Sequence, residues 1–189
     1  MRMFVALTPP IEALEHLAEF WEPRTQADAE MRWVDAEQWH LTLSFLASVP
    51  ERALDGLEER LERAARRRRA FDCRMRGGGV FPDVTRARVL WVGVEEADDG
   101  AHLARLAEGV RASCNRAGAT PEGGKFRAHL TLARFRLPQD ATRWVRVAET
   151  YTGPWWRAEE IQLIESHLGQ GRGGRPRPDV VAAFPLGPA

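Results

Sequence analysis

The sequence is poor in cysteine and in lysine. Its two cysteines, Cys73 and Cys114, lie 41 positions apart and have no CxxC spacing. Two thiols cannot form a four-cysteine zinc site, and an extracellular disulfide framework needs more of them. Lys125 is the single lysine among 27 basic residues, which balance 27 acidic residues to a formal net charge of zero. Without an overall positive field, a nucleic-acid partner has to be bound by a local group of charges.

Long apolar runs are also missing. The first run, Met3 to Leu7, ends at Thr8-Pro9-Pro10. A signal peptide has an apolar core of about 7–15 residues, and a membrane-spanning helix has about 20. The sequence therefore predicts a soluble, cytoplasmic protein that does not contact a membrane. Its 189 residues predict a single domain over 1–189, with room for two lobes.

The apolar pattern alternates between the period of strands and that of helices. Strands are predicted over 2–7, 31–34, 39–46, 71–80, 88–94, 126–135, 161–168 and 180–184. Helices are predicted over 10–22, 50–70, 98–117 and 141–150. Strands that alternate with helices indicate a mixed α and β fold. The segment Gly169 to Pro178, rich in glycine, arginine and proline, is predicted to be a mobile loop.

One tetrapeptide occurs twice. His40-Leu41-Thr42-Leu43 is repeated 89 residues later as His129-Leu130-Thr131-Leu132, and these copies hold two of only five histidines. Each copy is preceded by a predicted strand and helix, and each is followed by a proline and another helix. The repeat indicates two similar lobes related by an approximate two-fold axis.

Strand geometry places the polar residues of each copy on one face. Because successive side chains of a strand point to opposite faces, His40 and Thr42 share a face, and so do His129 and Thr131. If the leucines face the core of each lobe, both His-Thr pairs face the space between the lobes. One neutral imidazole can then take a proton from water while an imidazolium protonates a leaving alkoxide. Neither copy carries a carboxylate. Displacement at phosphorus needs little more than the two imidazoles and the two hydroxyls, so no metal is required.

The two motifs resemble those of the two-histidine phosphoesterase superfamily. Within it, the sequence is most similar to the RNA 2′,3′-cyclic phosphodiesterases, also called the LigT or ThpR-like 2′-5′ RNA ligase family. The resemblance extends from about residue 2 to Leu186. Further matching segments are 2–7 with Pro9-Pro10, Val80-Phe81-Pro82, 88–94, 129–134 and Ser166-His167-Leu168.

The resemblance implies a bilobal α+β fold with the active site in the cleft between the lobes. It implies metal-independent opening of a 2′,3′-cyclic phosphate, at an RNA end or in a nucleotide, to a 2′-phosphomonoester, with no cofactor. By position, His40 would protonate the leaving 3′ oxygen and His129 would activate water. Thr42, Thr131 and Arg134 would contact phosphate oxygens.

Strand parity complicates the role of Arg134. Five residues separate it from His129, so a regular strand would place it on the leucine face. Arg134 can reach the phosphate only if the strand bends, bulges or ends near Ala133.

Other functions remain open on the sequence alone. The same two histidines could join RNA ends through a 2′-5′ linkage, or the cleft could bind an RNA end without turnover. A metallohydrolase is disfavoured because neither motif carries an acidic ligand. The default oligomeric state is a monomer.

Three further features lie outside the motifs. Arg66 to Arg69 end a predicted helix, where basic residues favour the helix dipole and are solvated, although nucleic-acid binding is an alternative. In the 169–178 loop, Arg172, Arg175 and Arg177 are candidates for an RNA contact. Trp91 lies in a strand with a buried pattern and is predicted to be in the core.

Overall fold

Two antiparallel sheets and four helices form the fold in a computed structural model that describes residues 1–188. The strands are β1 Met3–Leu7, β2 Met31–Trp33, β3 Leu41–Leu46, β4 Phe71–Phe81, β5 Ala87–Glu96, β6 His129–Gln139, β7 Trp156–Ala158, β8 Glu160–His167 and β9 Arg177–Pro185. The helices are α1 Ile11–Trp21, α2 Leu54–Arg66, α3 His102–Arg116 and α4 Thr142–Glu149. The eight predicted strands and four predicted helices are all present. β7 is an additional strand that the sequence pattern did not predict.

The strands divide into a terminal sheet and a central sheet. The terminal sheet has the order β3-β1-β8-β9, and the central sheet has the order β2-β6-β5-β4-β7. Each sheet carries one copy of the repeated motif, at the start of β3 and of β6. The predicted bilobal α+β fold is therefore confirmed, but the lobes are not successive halves of the chain, because β2 leaves the N-terminal half to pair with β6.

The helices cover the outer faces of the sheets. Helices α2 and α3 contact each other and strands of the terminal sheet, while α4 packs on β4. Helix α1 follows a terminal-sheet strand but reaches the central sheet, where Trp21 packs against Trp33 of β2 and Trp144 of α4. This exchange of elements ties the lobes together. One large apolar core cluster includes residues of both sheets. The single domain over 1–189 stays a prediction.

The terminal sheet is apolar on both faces. Met3 and Val5 of β1 point into the large core beneath α2 and α3, whereas Phe4 and Ala6 point the other way and pack with Ile164. That second face borders the space between the sheets.

Among residues 1–188, no helix has both the length and the apolar character of a membrane span.

Candidate active site

The first motif contains a β-bulge at its last leucine. In the pairing of β1 with β3, Val5 lies opposite Ser44 and Ala6 lies opposite Thr42, so Leu43 is left without a partner. An extra residue in one strand resets the alternation of its faces. As a result, Thr42 and Phe45 both line the space between the sheets.

The second motif is bulged at the equivalent position. In the pairing of β5 with β6, Leu90 lies opposite Ala133 and Trp91 lies opposite Thr131, so Leu132 is left without a partner. Thr131 and Arg134 consequently face the same way, although they are three residues apart. Arg134 could reach the site only if the strand was irregular near Ala133, and the bulge is that irregularity. It places Arg134 in the space between the sheets.

A cleft of about 780 Å³ lies between the two sheets. It brings together every residue that the sequence assigned to the site: His40, Thr42, His129, Thr131 and Arg134. Both histidines and both threonines are partly buried, while Arg134 is exposed. The repeated strands thus present two imidazoles and two hydroxyls to one cavity from opposite walls.

His40 is held by an aromatic partner at the beginning of β3. The Phe4 ring stacks on the imidazole with a centroid separation of 4.3 Å and an interplanar angle of 18°. Burial lowers the pKa of His40 from 6.5 to about 4, and a hydrogen bond with the backbone of Gln38 opposes the shift. In the free protein this imidazole is therefore neutral at pH 7.

His129 has a fixed tautomer. Its Nδ1 lies 2.7 Å from the carbonyl oxygen of Arg127, and a carbonyl can only accept, so Nδ1 carries the proton and Nε2 keeps a lone pair when the ring is neutral. Burial is the main cause that lowers the pKa of His129, and the positive charges of Arg127 and Arg134 lower it further. Its tautomer suits a general base.

Two aromatic rings support the His129 imidazole. Phe81 meets it edge-on at a centroid distance of 5.0 Å, and Trp91 lies 6.0 Å away. The prediction that Trp91 lies in the core was wrong, because its side chain is only partly buried and contacts His129 at the cleft wall. In β5 it stands opposite Thr131, on the cleft face of the central sheet.

Comparison with known proteins identifies the family. The LigT-like phosphoesterase model matches residues 7–91 and 94–173. An RNA 2′,3′-cyclic phosphodiesterase of Thermus thermophilus is 35% identical over 176 residues, covering 89% of this chain and 83% of the relative. Another of Thermotoga maritima is 31% identical over 154 residues, covering 82% and 79%. This chain belongs to the LigT-like phosphoesterase family.

Solved structures agree with this assignment. A crystal structure of the Thermus thermophilus protein TT0787 superposes with a TM-score of 0.79 at 30% identity, over 100% of this chain and 99% of that one. Escherichia coli LigT, solved in complex with 3′-AMP, superposes with a TM-score of 0.75 at 24% identity, over 98% and 97%. At 24% identity, the similarity to LigT supports only the fold.

The cleft of this LigT-like phosphoesterase is strongly cationic. Among the described residues that line it there is no carboxylate, but there are five arginines: Arg2, Arg32, Arg134, Arg136 and Arg175. Such a lining favours an anionic ligand. No group of three or more His, Cys, Asp or Glu side chains within residues 1–188 is placed to hold a metal ion.

Sequence reasoning missed three of these arginines. Arg32 of β2 is brought to the site because it lies opposite Arg134 in the central sheet. Arg136 also lines the cleft, two residues beyond Arg134, and strand alternation could have revealed it. Arg2 lines the terminal-sheet side of the cleft, where its guanidinium lies 4.7 Å from the centre of the Phe45 ring.

The 169–178 loop lines part of the cleft. Arg175 forms an ion pair with Asp35 at 2.6 Å, and the Gln38 side chain donates to the carbonyl of Pro176 at 2.9 Å. Both partners belong to the segment just before His40, so the loop braces that segment. Its mobility stays a prediction. Of the other loop arginines, Arg177 pairs with Asp179 and does not line the cleft.

Proposed function

We propose that this LigT-like phosphoesterase hydrolyses a 2′,3′-cyclic phosphate, at an RNA 3′ end or in a nucleotide, to a 2′-phosphomonoester. The observation that carries the proposal is the pair of bulged His-x-Thr strands facing each other across an arginine-lined cleft. Relatives that are 31% and 35% identical are named RNA 2′,3′-cyclic phosphodiesterases. A cyclic phosphodiester carries the negative charge that such a lining attracts.

The proposed reaction uses one imidazole on each side of the phosphorus. Nε2 of His129 takes a proton from water as the water oxygen bonds to phosphorus. The bond from phosphorus to the 3′ oxygen breaks, and His40 gives its proton to that oxygen. The products are a 3′-hydroxyl and a 2′-phosphomonoester. Hydroxyl groups of Thr42 and Thr131 donate to the non-bridging oxygens, whose charge must be stabilised in the transition state.

His40 acquires its proton together with the substrate. Because burial holds its pKa at about 4 in the free protein, it needs a nearby negative charge before it can act as an acid at neutral pH. A bound phosphate anion favours the imidazolium and raises that pKa. Binding of the substrate thus produces the protonated His40 that the opening of the cyclic phosphate requires.

Phosphorus NMR tests the reaction. Incubation with a 2′,3′-cyclic nucleotide and EDTA should convert the cyclic phosphate signal to that of a 2′-phosphomonoester, and the His129→Ala variant should leave it unchanged. Activity that EDTA abolishes and zinc restores would contradict the metal-free mechanism. If both the nucleotide and a short RNA with the same end stay intact, the proposal fails in favour of 2′-5′ ligation or an RNA-end binding module.

Arg134 should contribute to turnover through its charge. We expect Arg134→Gln to lower kcat/KM by roughly 10- to 100-fold, since a hydrogen bond to a charged group is worth about 1.5–3 kcal/mol. The matched control is Arg136→Gln, which removes the same charge from an exposed cleft residue two positions further along β6. Equal losses in the two variants would show that Arg134 acts only through the general field of the cleft.

A further inference from the structure

A second cationic surface lies on the outer side of the terminal sheet. Helices α2 and α3 pack together there and run antiparallel, since Arg60 faces Arg116 at one end and Arg67 faces Arg105 at the other. We call the channel between them the helix groove. Its arginines without a carboxylate within 4.0 Å in the described chain are Arg60, Arg67, Arg68, Arg69, Arg105 and Arg116.

The helix groove consists of two adjoining cavities. One, of about 260 Å³, is lined by the arginines that directly follow α2, by Arg105 of α3, and by His102 and Phe71, and it contains no carboxylate. The other, of about 440 Å³, contains a single one, Glu108. The cavities share Arg67 and Arg68, so they lie side by side along the helix groove. From Arg105 to Arg116 it extends about 16 Å, at a rise of about 1.5 Å per helical residue.

Helix dipoles do not account for this arrangement. Arg67 and Arg116 lie at helix C-termini, where a positive charge is favourable. Arg105, however, lies in the first turn of α3, where the dipole disfavours a cation, and Arg60 is in the middle of α2. Because like charges in one channel repel each other, the cluster is stabilised when an anion occupies it.

Arginine in a concave channel matches phosphate. Its planar guanidinium offers paired donors that fit phosphate oxygens, which suits a chain of phosphates better than a point charge does. A helix that lies on a membrane surface also buries apolar side chains in the lipid. The large exposed apolar residues of the described chain, Ile11, Leu137, Trp155, Leu168 and Val180 among them, all lie outside α2 and α3.

We propose that the helix groove binds the phosphate backbone of RNA away from its reacting end, an inference that rests on the function proposed above. The groove and the cleft lie on opposite faces of the terminal sheet, because Met3 and Val5 face α2 and α3 whereas Phe4 faces the cleft. RNA in the groove therefore leaves the cleft open. Long RNA gains affinity over a cyclic mononucleotide, which can fill the cleft alone.

The test compares two charge-matched triple variants. Arg67→Gln, Arg68→Gln and Arg105→Gln remove the groove charges. The control variant carries Arg76→Gln, Arg86→Gln and Arg157→Gln, which remove ion-paired arginines from the other lobe. Fluorescence anisotropy measures binding of a labelled single-stranded RNA that ends in a 2′,3′-diol. Inorganic tripolyphosphate and phosphatidylserine vesicles are measured in parallel, and circular dichroism checks both folds.

We expect the groove variant to bind this RNA at least tenfold more weakly than the control variant. Its slope of log K against log salt should be smaller by about 2, since each phosphate contact on a single strand contributes about 0.7. Both variants should hydrolyse a cyclic mononucleotide like the original chain. If that chain does not hydrolyse it, the proposed function fails, but the anisotropy result still decides the groove.

Three results would overturn the groove proposal. Equal RNA affinity of the two triple variants would mean that only total charge matters. Tripolyphosphate that binds the groove as tightly as RNA would make it a small-anion site. A loss confined to vesicle binding would assign the groove to a membrane surface.

Discussion

Alanine in place of His129 is expected to lower kcat/KM on a cyclic nucleotide by roughly 10²–10⁴, the usual contribution of general acid–base catalysis. The same loss is expected for His40→Ala. The matched control is His16→Ala, which removes an exposed histidine of α1 that contacts Tyr151 outside the cleft. All three variants should keep the circular dichroism spectrum of the original chain. Near-full activity in either cleft variant would eliminate the two-histidine mechanism.

A substrate with a different leaving group distinguishes the general acid from the general base. A p-nitrophenyl phosphodiester releases an anion that needs no proton, so the loss caused by removal of the general acid should largely disappear on this substrate. His40→Ala should therefore be rescued, whereas His129→Ala should stay slow because water still has to be activated. Rescue of His129→Ala instead would reverse the assignment.

The two catalytic candidates could be predicted because their signal is local. A repeated tetrapeptide in a strand context fixes which side chains share a face, and both copies prove to line one cleft. Arg134 shows where such reasoning stops, since simple alternation places it on the wrong face. The two bulges fall at equivalent positions of the repeat, Leu43 and Leu132. Nothing in the sequence marks these leucines as bulged.

Features that depend on distant pairing could not be read from the pattern. Arg32 joins the site because β2 crosses to the central sheet and pairs with β6, and no periodicity specifies that partner. The same crossing makes the lobes interleaved instead of sequential. Strand β7 has only three residues and forms by pairing with the beginning of β4, a distant partner that no local pattern specifies. The monomeric state stays a prediction.

The dependence of kcat/KM on pH should be bell-shaped, with its maximum below pH 6.5. The reaction needs one protonated and one neutral imidazole, and kcat/KM reports the ionisations of the free enzyme. Burial lowers the pKa of His40 from 6.5 to about 4, and burial together with Arg127 and Arg134 lowers that of His129. At pH 7 both rings are then neutral and the singly protonated form is scarce.

Acidification from pH 7 should therefore raise kcat/KM, by up to about tenfold per pH unit, until the higher of the two pKa values is reached. Below the lower value both rings are protonated and kcat/KM should fall again. The kcat profile should lie at higher pH, because the bound phosphate anion raises the pKa of both imidazoles. NMR titration of the His40 ring, with circular dichroism at each pH to exclude unfolding, checks the cause directly. A kcat/KM maximum above pH 7, or a profile with one ionisation, would contradict the reading of two buried imidazoles that share one proton.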